Sequence, residues 1–118
     1  MALHNELGQK GEQMAEAWLT EKGYAILHRN WRHSHYEIDI IALKNELLHF
    51  VEVKLRSSEK FGMPEENVSR KKISDLLRAA DEFLALNRNY KNFQMDILSI
   101  NISKNKDPDF FLIEDVYL

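Results

Sequence analysis

The segment from Tyr36 to Arg56 constrains the fold most, because it places charged side chains inside two strand-like apolar runs. The runs are residues 36–43 and 47–55, and the polar segment of three residues between them is short enough only for an antiparallel hairpin. A buried charge is costly unless it is paired or binds a metal, so packing alone does not explain these side chains. The charged positions in question are Glu37, Asp39, Glu52 and Lys54.

The hairpin is expected to bring these four side chains to one face of a sheet. A two-residue loop would place Leu43 opposite Glu46, and a four-residue loop would place it opposite Leu48. Because side chains alternate between faces along a strand, both registers group the four charged residues, whereas a three-residue loop with a bulge would separate them. The opposite face then forms an apolar core layer of Ile38, Ile40, Ala42, Val51, Val53 and Leu55.

Helical and strand patterns follow one another along the rest of the chain, with Ser69 as the N-cap of the second helix. Asp96 interrupts an apolar strand and is expected at an edge or end position. The chain is predicted to form one domain, residues 1–118, of the α/β class, with a single mixed sheet flanked by helices. The predicted elements are helices over residues 5–22 and 70–86, strands over 24–30, 36–43, 47–55, 93–102 and 110–117, a polar connection over 31–35 and a loop over 57–66.

Composition argues against several classes of protein. There is no cysteine, which removes disulfides and thiolate metal sites and is compatible with a reducing cytosol. The first residues lack the basic and apolar regions of a signal peptide, and no apolar run approaches the length that spans a bilayer. We therefore expect a cytoplasmic protein with no membrane partner, and we note that a net charge of −3 is not typical of nucleic-acid binders.

The acidic face supplies the parts of a metal-dependent phosphodiester hydrolase. Two carboxylates that converge on a sheet, Asp39 and Glu52, are oxygen ligands suited to Mg²⁺ or Mn²⁺. Such an ion polarises a phosphoryl oxygen and lowers the pKa of a bound water, which makes a nucleophile. Lys54 lies on the same side of the strand as Glu52, where it can hold the attacking water or offset charge on the phosphate.

A surface salt-bridge ladder is the alternative explanation, with Lys54 paired across the hairpin to Glu37 or Asp39. A basic neighbourhood favours the catalytic interpretation, because residues 54–72 contain six basic side chains against three acidic ones. Some of these cations occupy the first turn of a helix, where the dipole disfavours them, which suggests an anionic partner such as a nucleic-acid backbone. Simple solubility remains the alternative for that turn.

Several short segments, spread over nearly the whole chain, form a recognisable set. They are Gly8-x-x-Gly11-Glu12, Arg29-Asn30-Trp31-Arg32, Glu37-Ile38-Asp39-Ile40, Val51-Glu52-Val53-Lys54-x-Arg56 and Lys71-Lys72. Taken together, they resemble the YraN-like family of bacterial proteins. Members of that family are similar to the restriction-endonuclease-like superfamily with its PD-(D/E)xK site and to archaeal Holliday-junction resolvases. The resemblance therefore implies a restriction-endonuclease-like α-β-β-β-α-β core with one further C-terminal strand.

The resemblance also implies roles for individual residues. Asp39, Glu52 and Lys54 match the nuclease triad, with the two acids holding the metal and the lysine positioning the water. Glu12 matches the acid of the first helix that joins the metal site in resolvase-like relatives, and Glu37 is a secondary acid. The residues expected to bind backbone phosphates are Arg32, Arg56, Arg70, Lys71 and Lys72.

Two positions depart from the family pattern. Tyr36 replaces the glycine before Glu37, and its ring could narrow the approach to the site or stack on substrate. Gln94 replaces the arginine near Asp96, which removes one cation. Both departures bear on substrate preference.

The sequence thus predicts a Mg²⁺- or Mn²⁺-dependent nuclease acting on DNA, including branched or flapped structures. The alternative is a non-catalytic module of the same fold that binds nucleic acid or a repair partner, and Tyr36 and the acidic net charge motivate it. A third interpretation is a protein-interaction domain that binds no nucleic acid. A homodimer is a further expectation, because a resolvase-like enzyme that acts on two strands would use two-fold symmetry.

Overall fold

A computed structural model describes residues 2–57 and 69–116, with side chains described for residues 9–56 and 69–116. The described residues form a single mixed sheet of five strands in sequential order, which agrees with the predicted α/β class. Residues 58–66 of the predicted loop and the end of the last predicted strand lie outside the described residues. The elements are α1 (Ala2–Glu21), β1 (Ala25–His33), β2 (Tyr36–Lys44), β3 (Leu47–Ser57), α2 (Arg70–Leu86), β4 (Phe93–Ile102) and β5 (Asp109–Ile113).

The two helices cover opposite faces of the sheet, and each buries its own apolar cluster. All neighbouring strands are antiparallel except β3 and β4, which are parallel and joined by the crossover that contains α2. Within the described residues, neither helix is long and apolar enough to cross a membrane. The buried cluster beneath α1 contains Ala15, Leu19, Ile40, Ala42, Val51, Leu98 and Ile100. The cluster beneath α2 contains Ile38, Ile41, Phe50, Leu76, Ala80, Phe83 and Met95.

The hairpin of β2 and β3 adopts the second of the two expected registers, with Leu43 opposite Leu48. Its tight turn has Asn45 and Glu46 at φ of 53° and 64°. Positive φ at both turn residues matches the twist of the flanking strands, and asparagine tolerates that conformation. The expected register is therefore confirmed from Lys44 to Ile40, where the ladder between the two strands ends.

Strands β2 and β3 separate at the point where Asp39 and Glu52 would form the next pair of the ladder. The ladder between these strands ends at the pair Ile40 and Val51, while β3 continues in parallel with β4 as far as Ser57. Beyond Val51, β3 is therefore paired on one side, and its other edge faces the end of β2. The gap is a fork whose two arms carry Asp39 and Glu52.

The predicted single core layer was wrong for Ile38. Ile40 and Ala42 pack beneath α1 as expected, but Ile38 packs beneath α2 on the other face. The side-chain alternation is thus interrupted across Asp39. Asn30, which lies between the residues paired with Ile38 and Ile40, has a left-handed φ of 56°, so both strands lose their regular geometry here.

The predicted polar connection after the first strand was also wrong. Strand β1 continues to His33, which pairs with Tyr36, so the connection is only a two-residue turn. Trp31 packs edge-on against Phe83 of α2, with ring centroids 5.4 Å apart. The aromatic burial and the pairing partner on β2 extend the strand through residues whose polarity suggested a loop.

Asp96 was expected at an edge or end and instead lies fully buried inside β4, between β3 and β5. Buried His49 explains this position, because its Nδ1 lies 2.7 Å from Asp96 Oδ2. Gln94 Nε2 and the main-chain N–H of Asp115 donate to the other carboxylate oxygen at 2.8 and 3.0 Å. A carboxylate with this many partners is stable inside a core, and here it also fastens the chain that follows β5.

We expect Asp96→Ala to lower the free energy of unfolding by about 2–4 kcal/mol, because His49 and the N–H of Asp115 would lose their acceptor. Urea unfolding monitored by circular dichroism measures the change. Asp107→Ala, an exposed position before β5, is the control and should be neutral within about 0.5 kcal/mol. Equal effects of the two substitutions would contradict the structural role of Asp96.

Candidate metal and nucleic-acid site

A polar cleft of about 350 Å³ lies at the fork between β2 and β3, beside α2. Its lining combines four carboxylates with three basic side chains and two rings. Glu37, Asp39 and Glu52, which the sequence predicted to lie on one face, all line it. The complete lining is His35, Tyr36, Glu37, Asp39, Glu52, Lys71, Lys72, Asp75, Leu76 and Arg78.

Asp39 is held by the main chain of the neighbouring strand. The N–H of Val53 donates to Asp39 Oδ2 at 2.8 Å, in the place where a continued ladder would offer a carbonyl. Burial, and next the charge of Glu52, raise the pKa of Asp39 to about 7, and the charge of Glu12 adds to the rise. The Val53 hydrogen bond and Lys72 act in the opposite direction without cancelling it. Asp39 is therefore a carboxyl group whose burial and acidic neighbours disfavour its charged form.

Glu52 has two lysines within ion-pair distance. Lys72 Nζ of α2 lies 3.1 Å from Glu52 Oε2, and Lys54 Nζ of β3 lies 3.8 Å from the same oxygen. The Glu52 side chain is only 15% exposed, so these pairs are less screened than surface pairs. The charge of Glu52 is also the main reason why the pKa of Lys72 is raised. Lys54 thus contacts the acid that the sequence associated with it, although it does not line the cleft.

Glu12 and Glu37 lie at the margins of this arrangement. Glu12 is half-buried on α1 and lines a separate cavity of about 250 Å³ with Arg29 and Asn30. It acts on Asp39 through its charge. Glu37 is exposed, and its Oε1 lies 3.3 Å from Arg32 Nη2, so this surface pair contributes little to stability. Both acids are thus close enough to influence the site.

The cations divide into those beside the cleft and those away from it. Lys71, Asp75 and Arg78 line one side of the cleft at helical spacing, and Lys71 Nζ lies 3.1 Å from Asp75 Oδ2. The sequence reasoning missed Asp75 and Arg78 because it considered only the first turn of α2, although the spacing from Lys71 could have found them. Arg70 is exposed and Arg56 is half-buried, and neither lines the cleft.

The donor set suits a hard divalent cation. Asp39 and Glu52 line the same cleft, and the pKa of Asp39 is raised by burial and then by the charge of Glu52, which a cation would offset. Within the described residues, no group of three or more histidine, aspartate or glutamate side chains is already arranged as a metal site. Any such ion would therefore complete its coordination with main-chain oxygens, water or substrate.

Comparison with known proteins places the sequence in one group. The model of the family described as "Uncharacterised protein family UPF0102" matches residues 11–100. A UPF0102 protein of Bacteroides thetaiotaomicron is 50% identical over 97 residues, covering 82% of this chain and 75% of the relative. One from Parabacteroides distasonis is 39% identical over 116 residues, covering 98% of this chain and 93% of the relative. One from Chlorobium chlorochromatii is 41% identical over 97 residues, covering 82% and 75%.

The raised pKa of Asp39 predicts a pH-dependent cost to stability. The pKa is about 7 in the folded chain and 3.8 for an ordinary aspartate, so the folded chain binds more protons between these values. Stability contributed by this site therefore falls as the pH rises from about 4 to about 7. We expect Asp39→Asn, in EDTA, to stabilise the protein by about 1–3 kcal/mol at pH 8 and little at pH 4.

Urea unfolding at the two pH values measures this difference. The matched control is Asp81→Asn, an exposed position on α2 outside the cleft, and it should show no such pH dependence. A stabilisation of Asp39→Asn that is equal at both pH values would show that the charge of Asp39 carries no cost.

Proposed function

The chain belongs to the UPF0102 family, and from its cleft we propose that it is a metal-dependent nuclease that hydrolyses phosphodiester bonds of DNA. The observation that carries the proposal is the pairing of Asp39 with Glu52 at the fork of the sheet, where burial, and next the charge of Glu52, raise the pKa of Asp39 to about 7. A fold selected for stability alone has no reason to hold two such carboxylates together. The arrangement supports a restriction-endonuclease-like site, and branched or flapped DNA is the proposed substrate structure.

The two acids would hold Mg²⁺ or Mn²⁺, with Glu12 supporting them through its charge. When bound, the ion would supply an activated water and polarise a phosphoryl oxygen. The main chain of Val53 keeps one oxygen of Asp39 in place, which leaves the other for the ion. The protein's part is thus to orient two carboxylates and to concentrate negative charge at one point.

The lysines on Glu52 have separate proposed roles. Lys54 would position the attacking water, because it lies beside Glu52 on the same strand. Lys72 balances the charge of Glu52 in the absence of other cations, and it could turn to a phosphate when a metal takes over that charge. Arg32, Arg56, Arg70 and Lys71 would bind phosphates of the nucleic-acid backbone, joined by Arg78 along α2.

A non-catalytic nucleic-acid-binding module is the second candidate. The observation that favours it is the ion pair of Lys72 with Glu52, which gives the acid an internal counter-ion at 3.1 Å. In this case the acidic pair would be a remnant or a structural element, and the basic residues along α2 would bind nucleic acid without turnover. Binding would then be sensitive to salt and independent of divalent ions.

Cleavage of a panel of linear, flapped and four-way DNA with Mg²⁺ or Mn²⁺ tests the proposal. We expect cleavage of at least one substrate and a loss of about 100-fold or more with Asp39→Asn or Glu52→Gln, since even residues that only orient metal ligands contribute about 10–100-fold. Asp81→Asn is the control and should retain full activity.

Failure to cleave any substrate, or equal cleavage by Asp39→Asn, would overturn the nuclease assignment. Salt-sensitive DNA binding that survives Glu52→Gln and persists in EDTA would then favour the binding module. Absence of binding even at low salt would contradict both.

Metal binding can be tested without any substrate. At a Mg²⁺ or Mn²⁺ concentration about tenfold above the dissociation constant, we expect the melting temperature to rise by about 3–8 °C. The rise should be larger at pH 8 than at pH 6, because the ion must displace the proton that Asp39 holds with its pKa of about 7. Asp39→Asn should abolish it, and a rise that survives this substitution would place the ion elsewhere.

A further inference from the structure

An aromatic pair stands at the rim of the cleft, on the turn between β1 and β2. The rings of His35 and Tyr36 have centroids 4.2 Å apart and planes inclined by 32°. Both residues line the same cleft as Asp39 and Glu52. A candidate stacking surface therefore lines the same cleft as the acidic pair.

The turn constrains the backbone that carries this pair. Only Ser34 and His35 separate the paired residues His33 and Tyr36, and Ser34 adopts a left-handed φ of 58°. Ser34 Oγ lies 3.4 Å from His35 Nδ1, which adds a weak contact to the ring. Because the turn is so short, its backbone loses little conformational entropy when a ligand stacks on the rings.

Packing against the core explains the position of Tyr36 but not that of His35. Tyr36 is half-buried against the apolar cluster beneath α2, so part of its ring stabilises the fold. His35 is exposed, and an exposed ring gains little from covering its neighbour. The exposed side of the pair is thus free to serve as a surface for a planar ligand.

The chemistry around the rings fits a nucleotide. Lys71 and Arg78 line the same cleft and can meet a phosphate, while the rings offer a face to a planar base. A base inside a duplex already stacks on both sides, so its faces are not available to such a surface. An unpaired base can leave its stack and then stack on the rings at a modest cost in free energy.

We propose that His35 and Tyr36 form a stacking site for an unpaired nucleobase, so that the cleft selects single-stranded segments of nucleic acid over continuous duplex. The inference rests on the proposed function in one respect, since it takes the cleft to receive a nucleic-acid strand. It goes beyond that function by naming the feature of the substrate that is recognised.

A DNA oligonucleotide with one 2-aminopurine tests this site, because stacking quenches the fluorescence of that base. The protein is titrated against the single strand and against its complete duplex, with Ca²⁺ and separately with EDTA. We expect quenching with the single strand and tighter binding than to the duplex. Tyr36→Leu, which keeps apolar volume against α2, should weaken single-strand binding about tenfold and abolish quenching, because it removes the ring on which the base stacks.

Two further variants separate stacking from folding. Tyr36→Phe retains the ring and should bind like the natural chain. Phe111→Ala removes a ring that is 48% exposed on β5, outside the cleft, and should leave binding unchanged. Thermal unfolding of each variant confirms that the fold persists.

The outcomes distinguish the two proposals. Equal affinity for single strand and duplex, or unchanged single-strand affinity in Tyr36→Leu, would overturn the stacking site even if the protein cleaves DNA. Quenching that depends on Tyr36 without any cleavage in Mg²⁺ or Mn²⁺ would support the stacking site and reject the nuclease.

Discussion

The hydrogen bond from the N–H of Val53 to Asp39 Oδ2, 2.8 Å long, is the contact on which the arrangement of the cleft depends. It stands where the ladder of β2 and β3 would otherwise continue, since the last pair is Ile40 with Val51. A side-chain acceptor replaces a main-chain carbonyl, so the N–H stays satisfied while the strands separate. Without that replacement, opening the sheet would leave an unpaired donor beside the core, and the two acids would have no gap to share.

The start of α2 is adapted to the same fork. Ser69 caps the helix as the sequence predicted, and its Oγ accepts from the N–H of Lys72 at 3.1 Å. The side chain of that same residue reaches Glu52. A lysine in the first turn opposes the helix dipole, and a carboxylate with 15% exposure on the adjacent strand compensates for it. The unfavourable position of Lys72 in the first turn of α2 and the unfavourable position of Glu52 in a strand thus compensate each other through their ion pair.

Local patterns in the sequence predicted the elements well and predicted their irregularities poorly. The bounds of α2 and β4 follow from periodicity, and the register at Leu43 is one of the two that the turn length allowed. Parity along a strand assumes unbroken alternation, so it could not foresee that Ile38 and Ile40 pack on opposite faces. Nor could it foresee the burial of Asp96, because the stabilising partner, His49, is 47 residues away in the chain. Features that depend on neighbours in the sequence, such as element bounds, were predicted, whereas features that depend on tertiary contacts, such as the burial of Asp96, were not.

Two aspartates, Asp96 and Asp39, are buried or half-buried, and they differ in the number of groups that stabilise their charge. Asp96 is fully buried and has three partners, which are His49, Gln94 and the N–H of Asp115. Asp39 has one hydrogen-bond donor within the described residues, the N–H of Val53, and it faces the negative charge of Glu52 and Glu12. A site that raises the pKa of its own carboxyl is unfavourable for the folded chain by itself. Such a cost is consistent with a site that awaits a cation, and it is the physical reason why we propose a chemical role for Asp39, whereas the contacts of Asp96 stabilise the fold.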